Sequence, residues 1–293
     1  MIGVILAGGL GTRLFPLTKN YTKHLLPVYD KPLIYYPLAT LMLAKINEII
    51  IVSDKPSSLM YNSLLGNGSN LGLKLKYAIQ ERPRGIADGL KIATDLSKKK
   101  DLCLILGDNI FYAEGLAKFL INIKDRMLKS SKNFIFAYRL NNSNINDYGV
   151  IKYDKLGRAK SLIEKPKKFI SNYIIPGLYF YNRNSLRFLD ELKFSKRAEL
   201  EISDFNNLLL KKNKLEVIKL GRGTAWFDAG TTEKLFEASV FIKTLQERNG
   251  FRLGCIEEIA FNNNFISNKQ FDKLIKISKG EYRKYLENCL YNK

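Results

Sequence analysis

Cysteine and histidine are scarce in this chain: 293 residues include only Cys103, Cys255, Cys289 and the single histidine His24. Three cysteines far apart form neither a disulfide framework nor a metal-ligand spacing, so they read as reduced thiols of a cytoplasmic protein. No long uncharged apolar run occurs, and the N-terminus lacks the charged-then-apolar order of a secretion signal, which argues against a membrane span or export. Internal repeats, low-complexity segments and obvious linkers are also missing. Acidic residues are the minority, 28 against 48 basic ones, for a formal net charge of +20. Yet no basic arm, zinc-finger spacing or RNA-recognition signature accompanies that surplus. Lysines are spread from Lys98–Lys100 to Lys276, although Lys152–Asn172 holds seven basic residues against two acidic ones. The expectation is a solvated lysine-rich surface that favours anionic substrates, with no nucleic-acid or membrane partner.

What is present is a 46% hydrophobic chain, ample for a large core. Short apolar runs at Ile2–Leu6, Glu48–Val52, Lys74–Ala78, Asp101–Leu106 and Asn133–Tyr138 read as strands. Amphipathic stretches at Tyr35–Ala44, Ser57–Leu65, Ile86–Leu96 and Leu116–Leu128 read as helices between them. Such alternation implies an α/β fold with a mostly parallel sheet covered on both faces. Its ligands are expected beyond the carboxyl ends of the strands. The second half adds strands at Gly149–Tyr153, Ala159–Ile163, Ile174–Tyr181 and Leu215–Leu220. Helices are expected at Ile202–Lys211 and Thr232–Glu247, with two more after Asn268. One catalytic domain over 1–240, with a helical extension over 241–293 packed on it, is the simplest organisation.

The first strand runs into Ala7-Gly8-Gly9-Leu10-Gly11-Thr12-Arg13-Leu14. Three glycines in four positions let backbone N–H groups approach a phosphate chain, and Arg13 adds a fork of donors suited to its oxygens. No Gly-Lys-Ser/Thr follows and the third glycine of a dinucleotide fingerprint is missing, so neither standard phosphate motif applies. Lys23-His24-Leu25-Leu26-Pro27 places a lysine at the edge of a packed segment. The run Leu102–Leu106 ends in Gly107-Asp108-Asn109, a carboxylate where such sheets bind substrates. A second carboxylate sits in Ala225-Trp226-Phe227-Asp228-Ala229-Gly230-Thr231. The two could share one Mg²⁺, an ion commonly held by one or two carboxylates plus phosphate oxygens. Spacing alone leaves open whether they meet.

Together these segments resemble the glucose-1-phosphate thymidylyltransferase family of sugar nucleotidyltransferases, in its short bacterial form. The likeness runs through Leu6–Leu14, Lys23–Leu38, Leu106–Asn109, Asp147–Ile151, Leu162–Pro166, Gly177–Tyr181, Glu199–Asn206 and Gly221–Thr231, in order along the chain. It implies a Rossmann-like nucleotidyltransferase fold with a central mixed, mostly parallel sheet and a helical C-terminal appendage. The implied reaction is Mg²⁺-dependent transfer of a thymidylyl group from dTTP to α-D-glucose 1-phosphate, with pyrophosphate released. The likeness also implies a homotetramer subject to feedback by a dTDP-sugar. Gly8, Gly11, Thr12, Arg13, Lys23, His24, Asp108 and Asn109 would surround the nucleotide, with Gln80 and Gly85 at the base edge. Gly149, Glu164, Lys165 and Ile175 would line the sugar-phosphate pocket; Asp108 and Asp228 would bind Mg²⁺. Arg13, Lys165 and Asp108 would carry catalysis. The sugar phosphate is already an anionic nucleophile, so no histidine base is needed. The runner-up activities are uridylyl or cytidylyl transfer, and the rival class is a non-catalytic relative. Three positions depart from the usual pattern: His24 stands where Gln is common, Asp88-Gly89 follows Ala87, and Pro176 replaces a Thr. A carboxylate beside a nucleotide is unfavourable unless it faces away or binds a cation; Asp88 is expected to be a plain helix-surface residue.

Overall fold

The computed structural model describes residues 1–9, 11–141, 145 and 147–291; Leu10 of the glycine-rich turn lies outside them. The strands among these residues are β1 (Ile2–Leu6), β2 (Pro27–Val28), β3 (Lys31–Pro32), β4 (Glu48–Ser53), β5 (Lys74–Ile79), β6 (Leu102–Leu106) and β7 (Asn109–Tyr112). The second half adds β8 (Asn133–Arg139), β9 (Gly149–Tyr153), β10 (Ala159–Glu164), β11 (Tyr173–Ile174), β12 (Leu178–Tyr181), β13 (Leu215–Lys219) and β14 (Ala225–Asp228). One large sheet runs β10-β9-β11-β8-β12-β6-β1-β4-β5, with β13 also paired to β8. Following the pairings, β1, β4, β5, β6, β8, β9 and β13 point one way, and β10, β11 and β12 the other. The sheet is therefore mixed and mostly parallel.

Side-chain alternation explains why the central strands read as unbroken apolar runs. Ile5, Ile49, Ile51, Cys103 and Ile105 face one buried layer, while Val4, Ile50, Val52, Leu102 and Leu104 face the other. Both faces of these strands are covered, as parallel sheets require. Helices Tyr35–Leu43 and Leu116–Ser130 fill the first layer through Leu38 and Leu120. Helices Ile86–Leu96 and Ile202–Lys211 fill the second through Leu90 and Phe205. Each fully buried Leu or Phe contributes roughly 1.5–3 kcal/mol relative to exposure.

The C-terminal helices Ile256–Asn262, Asn268–Ile277 and Gly280–Tyr291 join the first layer through Phe261, Phe271 and Leu286. A reciprocal Ser267–Gln270 capping box starts the middle one. Helix Thr232–Asn249 runs unbroken across position 240, capped by the Thr231 hydroxyl and ended by Gly250. None of the described helices is long and apolar enough to cross a membrane, and all three cysteines are free thiols.

One expected strand is interrupted. Ile174–Tyr181 splits into β11 and β12 because Ile175-Pro176-Gly177 leaves the ladder. Pro176 has no N–H to donate. A Cβ on Gly177 would lie only 2.5 Å from Leu106. This break opens the sheet beside the carboxyl ends of β1 and β6, where the β9–β10 hairpin rises.

Candidate active site

The break and the carboxyl ends of β1, β5 and β6 enclose a cleft with two compartments. The smaller, about 250 Å³, is lined by Gly8, Gly9, Gln80, Pro83 and Gly85. The larger, about 410 Å³, is lined by Arg13, Gly149, Glu164, Lys165, Ile175 and Asp228 among others. Lys23, Ile86, Leu106, Asp108 and Glu199 border both, so the compartments meet at the Lys23–Asp108 pair.

That pair is tight. Lys23 Nζ donates to Asp108 Oδ2 at 2.5 Å, and each side chain is only 14% exposed. Burial opposes ionisation of Asp108, but the charge and hydrogen bond of Lys23 and the hydrogen bond of the Asn109 amide more than offset it, holding the carboxyl well below the usual range. Asn109 explains the orientation. Its Nδ2 donates to Asp108 Oδ1 at 2.9 Å, while its Oδ1 accepts from Gly177 N at 2.9 Å and Trp226 Nε1 at 2.6 Å. Asn109 thus ties the metal-candidate carboxylate to both the sheet break and β14. It is 2% exposed and acts on Asp108 from behind.

Asp228 arrives by strand pairing. β14 is antiparallel to β7, with Asp228 opposite Asn109, and Ala229 N donates to Asp108 O at 2.9 Å. Burial first, and then the charge of Asp108, push the Asp228 carboxyl above the ordinary carboxylate range. Lys234 counters this, with Nζ 3.2 Å from Asp228 Oδ2 and 2.6 Å from the Tyr148 hydroxyl. Two hard oxygen donors that penalise each other's charge suit a small divalent cation. Among the described residues no group of three or more Asp, Glu, His or Cys could hold a metal unaided. The two carboxylates lining the cleft fit Mg²⁺, an ion held by one or two carboxylates with phosphate oxygens completing its shell.

Arg13 lies in the short turn Thr12–Leu14, anchored by fully buried Leu14. Its guanidinium crosses to Gly230, where a Cβ would sit 2.8 Å from both Arg13 Nη2 and Asp228 Oδ1. Only a bare Cα admits both groups. Gly11, at φ 61°, packs against Thr18, whose Oγ1 donates to the Gly11 carbonyl at 2.9 Å. Gly11 and exposed Thr12 border neither compartment; they shape the turn that Gly8 and Arg13 flank.

The base edge brings a correction. Asp88 is not a plain helix-surface residue: half-buried, its Oδ2 accepts from Gln80 Nε2 at 2.8 Å, and Gly85 O takes the same nitrogen at 3.2 Å. Gly89 makes the approach feasible, since a Cβ there would press to 2.9 Å on Leu6. The pair Asp88-Gly89 is one device.

On the sugar side, Glu164 ends β10 opposite Gly149. Its Oε2 accepts from Ser203 Oγ at 2.5 Å, and a Cβ on Gly149 would lie 3.2 Å from it. Lys165 follows in a left-handed conformation, φ 43°, with its N–H bonded to Tyr148 O at 3.1 Å. That turn swings exposed Lys165 into the cleft mouth. Sequence reasoning missed Tyr148, Lys234, Arg197 and Glu201. Arg197 pairs with Glu199 and Glu201 on the cleft rim, and burial pushes the Glu201 carboxyl above the usual carboxylate range. The signal for Arg197 and Glu201 was the run Ser195–Glu201, dense in charge and overlapping the Glu199–Asn206 stretch to which no role was given.

His24 stands apart from the cleft. Its ring is 1% exposed and lies beneath the floor, where a Cβ on Gly107 would meet it at 2.7 Å. Nδ1 is 2.9 Å from the Tyr61 hydroxyl, which donates to Ala7 O at 2.9 Å. Burial and the neighbouring Lys23 push its pKa down to about 3, so the imidazole is neutral. This residue supports the floor under β1 and β6.

A glycine-rich turn, a paired lysine and two carboxylates at the carboxyl edge of such a sheet define a nucleotidyl transferase. The family model described as nucleotidyl transferase matches residues 2–244. Glucose-1-phosphate thymidylyltransferase of Neisseria meningitidis serogroup A is 41% identical over 99% of both chains. The enzyme of the same name from Xanthomonas campestris pv. campestris is 44% identical over 97% of this chain and 95% of its own. A Bacillus anthracis crystal structure assigned the same name, with sucrose bound, superposes with TM-score 0.74 at 32% identity. It covers 82% of this chain and 95% of that one. The chain belongs to the glucose-1-phosphate thymidylyltransferase family.

Proposed function

We propose that this protein transfers a thymidylyl group from dTTP to α-D-glucose 1-phosphate, giving dTDP-glucose and pyrophosphate. The observation that carries the reading is the two-compartment cleft whose compartments meet at Lys23 and Asp108. A nucleotide in the Gly8–Gln80–Gly85 compartment would present its α-phosphate at that junction. A sugar phosphate beside Glu164 and Lys165 would approach from the other side. Both substrates are anions, so the task is to bring them together in line and stabilise charge developing at phosphorus.

In this reading Arg13 and Lys23 hold triphosphate oxygens, and Lys165 holds the attacking phosphate. Glu164, oriented by Ser203, accepts from sugar hydroxyls, while Gly149 and Ile175 shape the pocket around them. Asp108 and Asp228 would hold Mg²⁺, which when bound supplies positive charge to the phosphate oxygens. A phosphate oxygen of the sugar phosphate displaces pyrophosphate directly, and no covalent enzyme intermediate forms. Gln80 and Gly85 read the base.

A homotetramer in the cytoplasm, subject to feedback by a dTDP-sugar, completes the proposal. A second cavity of about 410 Å³ supports the feedback element. It shares no lining residue with the cleft and lies between helix Tyr35–Leu43 and the C-terminal helices. Tyr36, Tyr112, Phe251, Arg252 and Glu258 give it aromatic faces and charges suited to a nucleotide sugar.

The test is pyrophosphate release across a matrix of nucleoside triphosphates and sugar 1-phosphates. dTTP with glucose 1-phosphate should lead and UTP should follow. A clear preference for ATP, GTP or CTP would overturn the reading.

A further inference from the structure

We propose that Asp88 sets base specificity by locking the Gln80 amide so that only its carbonyl oxygen faces the nucleotide base. The inference rests on the thymidylyl reading of this cleft. A glutamine amide has a donor end and an acceptor end that exchange by a simple flip, so an unconstrained one accommodates both imide and amidine bases. Here the flip is blocked. Gln80 Nε2 donates to the Asp88 carboxylate at 2.8 Å and to the Gly85 carbonyl at 3.2 Å. A carboxylate and a carbonyl only accept, so the reverse orientation would set oxygen against oxygen twice.

Both amide protons are thereby committed. The remaining atom, Oε1, points toward the base compartment, where a Cβ on Gly8 would lie 3.6 Å away. An acceptor-only reader demands a donor on the ring. Thymine and uracil offer their N3–H. Cytosine offers a lone pair at the same position and would leave two acceptors facing each other away from water, a heavily disfavoured arrangement. Asp88 does not touch the base; it is a positioning residue acting through Gln80. Gly89 lets the helix Ile86–Leu96 come close enough, since its missing Cβ would sit 3.7 Å from Gln80 Nε2 and 2.9 Å from Leu6.

The experiment compares kcat/KM for dTTP and dCTP, with glucose 1-phosphate saturating, in the full-length protein and in Asp88→Ala and Asp88→Asn. Asn is isosteric with Asp but can donate as well as accept, so it removes the shorter of the two blocks on the Gln80 flip without opening a void and leaves only the Gly85 carbonyl at 3.2 Å. Both variants should lower the dTTP-to-dCTP ratio by at least about tenfold, the order expected for one mispaired buried polar group. Most of that change should be a gain on dCTP, with the melting temperature little altered. A role limited to packing would leave the Asp88→Asn ratio at the native value, and that result overturns the proposal. The two levels of failure separate cleanly. A native enzyme that prefers dTTP, with variants that keep its ratio, sinks the role of Asp88 alone. A native preference for dCTP or dATP sinks both readings. A native preference for dGTP sinks only the thymidylyl reading, because guanine N1–H also donates. Asp88→Asn must then narrow the dGTP-to-dATP ratio instead.

Discussion

Asp228 stands opposite Asn109 in the β7–β14 ladder, and the Ala229 N–H bonded to the Asp108 carbonyl carries the two acidic residues to one corner of the cleft. Backbone pairing sets the candidate metal site, so its geometry does not depend on flexible side chains finding each other. Lys23 and Lys234 each neutralise one carboxylate. Loading a cation and a triphosphate would exchange these internal partners for substrate ones.

Asp108→Asn and Asp228→Asn should each cut turnover by on the order of 10² or more, the loss typical of one transition-state contact. Circular dichroism and melting should stay near native values. Near-normal turnover of either variant at saturating Mg²⁺ would remove the assignment.

The disfavoured ionisation of Asp228 gives this pair a pH signature. The carboxylate form binds cation, so activity falls as pH drops. Because burial and Asp108 favour the protonated form, the fall begins at a higher pH than for an ordinary carboxylate. Cation competes with proton, so raising Mg²⁺ should move this acid limb to lower pH. Rate profiles at two Mg²⁺ concentrations check it; coincident limbs would exclude Asp228 as a ligand.

Gly230→Ala tests how closely Arg13 and Asp228 must approach. The new methyl would meet both at 2.8 Å, so the pair must separate. Turnover should fall at least about tenfold, by the same kind of transition-state loss, with triphosphate affinity weakened and the fold retained. Calorimetry of nucleotide binding beside kinetics decides it, and unchanged values for both would show that the approach has no functional weight.

Much of this was legible in the chain. Alternating buried faces made β1, β4 and β6 readable, and the Gly8–Arg13 and Gly107–Asn109 punctuation put chemistry at their ends. Asp88 was not legible, because whether a first-turn carboxylate faces solvent or a neighbour depends on the rotation of its helix, which Gly89 and Leu6 decide. The His24 position was ambiguous for a related reason: a residue next to Lys23 alternates inward, and only the packing of Tyr61 and Gly107 shows how deeply. The meeting of Asp108 with Asp228 needed the register of two short strands that carry little propensity of their own.

His24 makes a stability prediction. Unfolded, it takes a proton near pH 6.5; folded, its pKa is about 3. The unfolded state therefore binds more protons between those values, and stability falls as pH drops through that window. This residue should cost about 2 kcal/mol between pH 7 and pH 5. Urea unfolding of the native chain and of His24→Gln at both pH values isolates the contribution. Identical pH dependence in the two proteins would contradict a buried neutral imidazole.

The central claim is that a phosphate oxygen of the sugar phosphate attacks the α-phosphorus of the nucleotide and pyrophosphate leaves. Glucose 1-phosphate carrying ¹⁸O in all its non-bridging phosphate oxygens, turned over with unlabelled dTTP and Mg²⁺, tests this most directly when the products are weighed by mass spectrometry. All of the label should appear in dTDP-glucose and none in pyrophosphate. Label in pyrophosphate, or no dTDP-glucose at all, would contradict the account.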